Sequence, residues 1–302
     1  MARLIGIGHC VQDQLMLLAR YPALDSKHLA LDRVECGGGP VPTALVAAAR
    51  QGQSCLFVGQ VGDDAPGKTI LADLGAAGVD TSACRLVAGA RSPLASVWIE
   101  QGSGKRTVVL DRGDLQPMDE ADLPALDWRS DDLLLLDGKD PVCLPAARKA
   151  KAAGARVLLD LGSERGDVAE LLAHSDLLVA SKSWVMTALP ELDLFAAVQA
   201  LCAKGPAAVA ITLGAGGLVQ AQQGEKATWF PAWPGSRVVD GTGAGDVFHG
   251  ILAWAILEGR DWRTALKMAT VAAGLACGAL GGRAGIPDRD ALAAAVESWT
   301  QI

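Results

Sequence analysis

Residues 238–257 read VVDGTGAGDVFHGILAWAIL. Glycine stands at every second position from Gly241 to Gly245, an acid follows at Asp246, and the apolar run behind it meets no Lys, Arg, Asp or Glu before Glu258. Without a Cβ a backbone turns tightly and its N–H groups can be approached closely. The stretch therefore reads as a loop ending on a helix N-terminus, where the amides of Thr242 to Gly245 lack intrahelical partners and the dipole favours an anion. Asp246, in the first turn, has two readings: a helix cap, or a proton acceptor beside an anion site. The second suits phosphoryl transfer to a hydroxyl, with the amides holding developing phosphate charge while the carboxylate takes the hydroxyl proton. A dinucleotide fingerprint fits poorly, because G-x-G-x-G late in the chain replaces G-x-G-x-x-G after a first strand.

The rest of the chain supplies a frame for such a loop. Short apolar runs, LIGIG at 4–8, CLFVGQV at 55–61, LLLLD at 133–137, RVLLDL at 156–161, DLLVA at 176–180 and AVAITLG at 208–214, alternate with Ala-rich segments of helical spacing such as 43–52, 68–78 and 144–154. Strands buried on both faces and alternating with helices predict an α/β fold with a largely parallel sheet covered on both sides. Two segments break the rhythm: 11–36 and 93–112 alternate apolar and polar residues, the second around a Gly-Ser-Gly turn at 102–104. They predict hairpins with one wet face, a small β-lid apart from a main unit formed by 1–10, 37–92 and 113–302.

Composition narrows the function classes. Half of the 302 residues are hydrophobic and a fifth charged, as in ordinary globular proteins. A net charge of −7 argues against a nucleic-acid partner. The opening MARLIGIGHC holds too short an apolar run for a signal peptide, and the longest charge-free interval, 205–224, is broken by glycines and glutamines, so a cytoplasmic protein without a membrane partner is expected. Seven cysteines with no C-x-x-C pair read as reduced thiols rather than disulfides or a zinc site.

A second glycine motif competes for phosphate. GDDAPGKT at 62–69 satisfies the P-loop pattern, with Lys68 in the phosphate-binding place. Asp63 and Asp64 would put two carboxylates into the cradle, which repels a triphosphate. A capped helix start with Lys68 on its surface is the competing reading.

VVDGTGAGDVFHG resembles the C-terminal signature of the ribokinase, or phosphofructokinase-B type, family of sugar kinases, written D-T-x-G-A-G-D-x-F. ECGGGPVPTALVAAARQG at 35–52 is similar to the family's N-terminal glycine block, VGDDAPG at 61–67 to its G-D-D-x-x-G element, and ITLGAGGL at 211–218 to its T-x-G-x-x-G nucleotide loop. The resemblance implies a ribokinase-like three-layer α/β/α sandwich with a β-lid. It assigns Asp246 as catalytic base and Gly243, Ala244 and Gly245 as the anion hole. Asp13, Gly38 and Gly39 hold sugar hydroxyls, and Thr212, Gly214, Gly217 and Gly278 line an ATP site. ATP with Mg²⁺ is the implied donor, a monovalent cation (K⁺) near Asp240 and the loop 279–285 accompanies it, and the lid pairs two subunits in a homodimer.

The chain departs from the pattern in places. Pro42 and Thr43 stand where many members carry Asn, and the N-x-x-E motif tied to metal and phosphates falls on Ser181 to Trp184, which contain no carboxylate. Lys182 there either holds phosphate, alongside Ser181, or is solvated. The missing acid also leaves room for a non-catalytic nucleotide or sugar sensor on the same fold. GGGP at 37–40, GGRAGIPD at 281–288 and Lys27 look most like the sulfofructose kinase branch, although that branch's Arg after the fourth main strand is Gly138 or Lys139 here. An anionic sugar head implies cations, and Lys27, Arg106, Arg112 and Lys139 are the candidates, each with surface solvation as its alternative. His249 is expected to pack or cap, and Trp229 and Trp233 to lie in the core or at a rim.

Overall fold

The computed structural model describes residues 2–162 and 168–300; residues 1, 163–167 and 301–302 of the expected main unit lie outside the described residues. In chain order the strands are β1 (Arg3–Ile7), β2 (Val11–Leu18), β3 (Asp32–Gly38), β4 (Ser54–Gly62), β5 (Val79–Asp80), β6 (Cys84–Val87), β7 (Leu94–Glu100), β8 (Arg106–Asp111), β9 (Leu133–Leu136), β10 (Arg156–Leu161), β11 (Leu177–Ser181), β12 (Ala208–Thr212), β13 (Leu218–Gln222) and β14 (Thr228–Phe230). The helices are α1 (Pro40–Ala49), α2 (Ala65–Ala76), α3 (Cys143–Ala152), α4 (Ala169–Ala173), α5 (Lys182–Ala188), α6 (Leu194–Cys202), α7 (Ala244–Leu257), α8 (Trp262–Ala276) and α9 (Arg289–Ser298).

One large sheet runs in the order β14-β13-β12-β11-β10-β9-β1-β4-β5, with β6 also on β4. It is parallel from β12 to β5 and turns antiparallel only at β13 and β14. Successive side chains of each strand feed opposite layers. On β1 Leu4 packs with α1, α7 and α8, whereas Ile5 and Ile7 pack with α3 and α6; on β9 Leu133 and Leu135 separate in the same way from Leu134 and Leu136. The result is the three-layer α/β/α sandwich expected from runs that are apolar at every position.

The segments with alternating pattern form a separate four-stranded sheet, β3-β2-β7-β8. Its hairpins β2–β3 and β7–β8 are antiparallel, but β2 and β7 pair in parallel, an arrangement that hairpin reasoning alone does not give. Both are the outgoing strands of their hairpins, so they run the same way. Leu15, Ala95, Val97 and Ile99 form the small core of this sheet. The GDDAPGKT segment is a capped helix start: Asp64 accepts from the Gly67 amide at 2.9 Å and from Ser92, Asp63 accepts from the Gly89 amide, and Lys68 is exposed.

Because the central strands are parallel, the loops after β1, β9, β10, β11 and β12 all emerge on one edge, which is where α/β sheets bind ligands. The edges of β1 and β9 are tied together at their other end by Asp132, fully buried, whose carboxylate meets the Arg3 guanidinium at 2.6 and 3.1 Å. Removing one partner of a buried pair strands a charge. Arg3→Ala is expected to destabilise the chain by about 3 kcal/mol, and Arg3→Met with Asp132→Leu to recover most of that loss. The check is a lower urea midpoint at unchanged m-value for the single variant only.

Candidate active site

The loop ahead of α7 is shaped by one carboxylate. Asp240, buried, accepts the Thr242 amide at 2.8 Å and the Thr242 hydroxyl at 2.7 Å on Oδ1, and the Gly281 amide at 2.9 Å on Oδ2. That clasp joins the loop to the segment 281–285 and leaves Gly243 as N-cap of α7 at φ 74°. A Cβ there would strain this left-handed backbone and sit 2.6 Å from the Gly282 carbonyl oxygen, so glycine is required. Thr242 was expected to lend its amide to the anion hole; it is spent on Asp240. The amides of Gly243, Gly245 and Asp246 have no hydrogen-bond acceptor among the described residues, and that of Ala244 reaches back to the Gly241 carbonyl only at 3.5 Å. Asp240, expected beside a monovalent cation, has both oxygens engaged by these donors.

Asp246 projects from that first turn and is half-buried. Burial, and next the charge of Asp160, raise its carboxyl to about 6, against the pull of His249, Arg106 and Lys139. Asp13, on β2, lies opposite at 8% exposure, its carboxyl pushed up to about 7 by burial, with Arg283 opposing and Asp246 adding to the rise. Gly38 is glycine because a Cβ would run into the Asp13 carboxylate. Two acids with raised proton affinity thus stand within electrostatic reach of each other, which marks them as candidates for proton transfer.

The cations are arranged differently from the sequence expectation. Arg106 stands at the start of β8 with Nη1 3.2 Å from the Gly241 carbonyl oxygen, and Gly241 in turn donates to the Gly104 carbonyl at 3.2 Å. The β7–β8 hairpin is therefore docked on the loop ahead of α7, and Arg106 belongs to the Asp246 end, not to a distant sugar head. Lys27 lies on the exposed connection between β2 and β3 and does not line the cavity. Arg112 and Lys139 do line it, with Gly39, His9, Cys10 and Asp140, whereas Asp13, Gly38, Arg106 and Asp246 do not. This cavity, about 880 Å³, opens beneath the lid at the ends of β1 and β9.

Sequence reasoning passed over three residues here. Arg283 is buried, donates from Nε to the Thr43 hydroxyl and from Nη2 to the Gly38 carbonyl, both at 3.3 Å, and packs against Gly37. Thr43 is the anchor of that guanidinium. His9 meets Asp140 at 2.6 Å through Nε2, while Asp140 also accepts from the Met118 amide. The signals were an Arg inside a glycine segment and a His directly behind the first strand.

The nucleotide candidates gather on the same edge further along. Ser181 and Thr212 are register partners at the ends of β11 and β12. Ser181 caps α5 by accepting the Trp184 amide, and Lys182, the first residue of that helix, is exposed. Gly214 to Gly216 form a single 3₁₀ turn ending at Gly217, pinned by the Trp229 indole, which donates to the Gly216 carbonyl at 2.9 Å from an exposed rim position. Gly278 follows α8 and closes its last turn by donating to the Leu275 carbonyl at 2.9 Å. This open shelf of small residues suits a nucleotide. Among the described residues no group of three His, Cys, Asp or Glu could cage a metal; a divalent cation carried by a nucleotide's phosphates and waters needs no such group.

Comparison with known proteins agrees with this geometry. The family model described as pfkB family carbohydrate kinase matches residues 1–289. The chain is 28% identical to a ribokinase of Bacillus subtilis over 300 residues, covering 96% of this chain and 98% of that protein. It is 30% identical to an aminoimidazole riboside kinase of Salmonella typhimurium, covering 82% of each. Among solved structures, Arabidopsis thaliana ribokinase complexed with ribose and ATP superposes with a TM-score of 0.81 at 26% identity, covering 98% of this chain and 99% of the other. A glycine-shaped helix mouth with an acid in its first turn, on a ribokinase-like fold under a docked lid, places this chain in the pfkB family of carbohydrate kinases.

Proposed function

We propose that the chain transfers the terminal phosphoryl group of ATP to a primary hydroxyl of a sugar bearing an anionic head. The observation that carries this reading is Asp246, a half-buried carboxylate raised to about 6, in the same helical turn as first-turn backbone amides and within electrostatic reach of Asp13 on the lid. The ribokinase complexed with ribose and ATP supports donor and acceptor class.

Asp13 accepts sugar hydroxyls and fixes the acceptor, while Asp246 takes the proton of the attacking hydroxyl. The amides of Ala244, Gly245 and Asp246 face the phosphoryl oxygens as their charge develops. Arg106, brought in by the lid, adds positive charge at the same place and falls away with lid opening. Ser181, Lys182, Thr212, Gly214, Gly217 and Gly278 hold the nucleotide; ATP supplies the phosphoryl group, and Mg²⁺ neutralises its oxygens. The absent acid at 181–184 suits a sensor, but a carboxylate kept costly to ionise beside an anion site has no use in mere binding.

The anionic head follows from accounting for charges in the cavity. Asp140 is taken by His9 at 2.6 Å and Asp114 by Arg91 at 3.3 Å. Arg112 forms no ion pair among the described residues, and Lys139 reaches Asp137 only at 4.0 Å. A sulfonate such as that of sulfofructose, or a sugar phosphate, suits these two cations. A homodimer through the lid suits β8, an edge strand exposed along its whole length with Val108, Val109 and Leu110 uncovered. A cytoplasmic location suits seven unbridged cysteines, and no described helix is long and apolar enough to cross a membrane.

Asp246→Asn is expected to lower kcat by about 10²–10⁴-fold with ATP binding nearly intact. Since the folded carboxyl holds its proton up to about 6, the native state bears a charge penalty that develops between about pH 4 and 6 and is complete above. The same variant should therefore melt higher than the parent at pH 8 and equal to it near pH 4; full turnover would end the base assignment. Arg112→Gln should raise KM about 10-fold or more for an acidic ketose and leave that for neutral fructose unchanged; equal effects on both, in a panel of phosphorylated, sulfonated and neutral sugars, would remove the anionic head. Val109→Arg should convert a sedimenting dimer to monomer; an unchanged dimer would place the interface elsewhere.

A further inference from the structure

Beneath the catalytic loop lies a buried pair that the transfer step does not use. His249 on α7 and Asp160 on β10 are 6% and 4% exposed. His249 Nδ1 is 2.7 Å from the Gly245 carbonyl oxygen, which can only accept, so Nδ1 carries a proton. Nε2 faces Asp160 Oδ1 at 3.5 Å, and neither atom has a hydrogen-bond partner among the described residues. A bare imidazole nitrogen and a carboxylate oxygen, both buried and 3.5 Å apart, repel unless one of the two groups carries a further proton. The pair is then imidazolium with carboxylate or imidazole with carboxylic acid, and in both forms its net charge is zero.

We infer that His249 is a positioning residue that cancels the charge of Asp160 beside the catalytic carboxylate and ties down the peptide of Gly245 in the anion hole, so that the pair sets the pH at which Asp246 becomes a competent base. The inference rests on the assignment of Asp246 as base. The charges that act on Asp246 include Asp160 from β10, His249 from α7, Arg106 from β8, Lys139 behind β9 and Asp13 from β2. The two acids favour the protonated carboxyl and the three cationic groups oppose it. Of the five, Asp160 and His249 alone are sealed from solvent as a matched pair, so removing one member leaves the other's field unscreened at Asp246.

His249→Gln leaves Asp160 unmatched, and the acid limb of the kcat/KM profile should move up by about one pH unit. Asp160→Asn leaves a neutral imidazole next to a neutral amide and should move it little. Asp160→Asn with His249→Gln should return the limb to the parent position, a rescue that a packing role for His249 would not produce. An unmoved limb in folded His249→Gln, or a double variant as displaced as that single, overturns the inference. Nitrogen NMR of His249 in the intact protein gives a readout without any variant: Nδ1 should stay protonated from pH 5 to 9, and a ring protonated only at Nε2 overturns it as well. Failure of the base assignment looks different, since Asp246→Asn would then retain turnover whatever the pair does.

Discussion

The three hydrogen bonds accepted by the Asp240 carboxylate are the constraint from which the site follows. They draw Thr242 and Gly281 onto one buried acid, press Gly243 against the Gly282 carbonyl in a conformation only glycine holds cheaply, and thereby fix where α7 begins. Where the helix begins decides which amides stay free and which way Asp246 leaves the backbone. The lid hairpin docks on that same loop through Gly241, so the proposed base, the proposed anion hole and the small sheet meet on one short piece of backbone.

Around it the fold concentrates acids. Asp13 lies within electrostatic reach of Asp240 and Asp246, and Asp246 within that of Asp160, and each is answered differently: Asp240 by backbone amides, Asp160 by His249, Asp13 by Arg283, and Asp246 only in part, by Arg106 and Lys139. The incomplete answer at Asp246 is what its proposed role as base near neutrality rests on. A carboxylate neutralised as fully as Asp240 is would be stable and inert, and under that proposal some stability is given up to keep Asp246 otherwise.

Much of this was legible in the sequence, for local reasons. Runs apolar at every position named a buried parallel sheet, alternation named the lid, and glycine spacing ahead of an apolar run placed a helix mouth with Asp246 in its first turn. Two carboxylates in GDDAPGKT argued correctly against a phosphate cradle. What stayed hidden depends on side-chain direction or on residues far apart in the chain. Arg283 is joined to Thr43 and Gly38 across 240 and 245 positions, and His9 to Asp140 across 131. Arg106 looked like a ligand for a sugar head because a strand end says nothing about which end of the cleft it overhangs. Thr242 looked like an anion donor because no spacing rule shows that Asp240 turns back to claim its amide. The parallel pairing of β2 with β7 needs both hairpins to be placed at once.

The most direct measurement is a crystal structure with a non-hydrolysable ATP analogue and a phosphorylatable sugar bound together. The account places the acceptor hydroxyl within about 3 Å of an Asp246 carboxylate oxygen, and the terminal phosphate over the amides of residues 244–246. An acceptor hydroxyl resting on another group, with Asp246 turned inward toward Asp160, would contradict it.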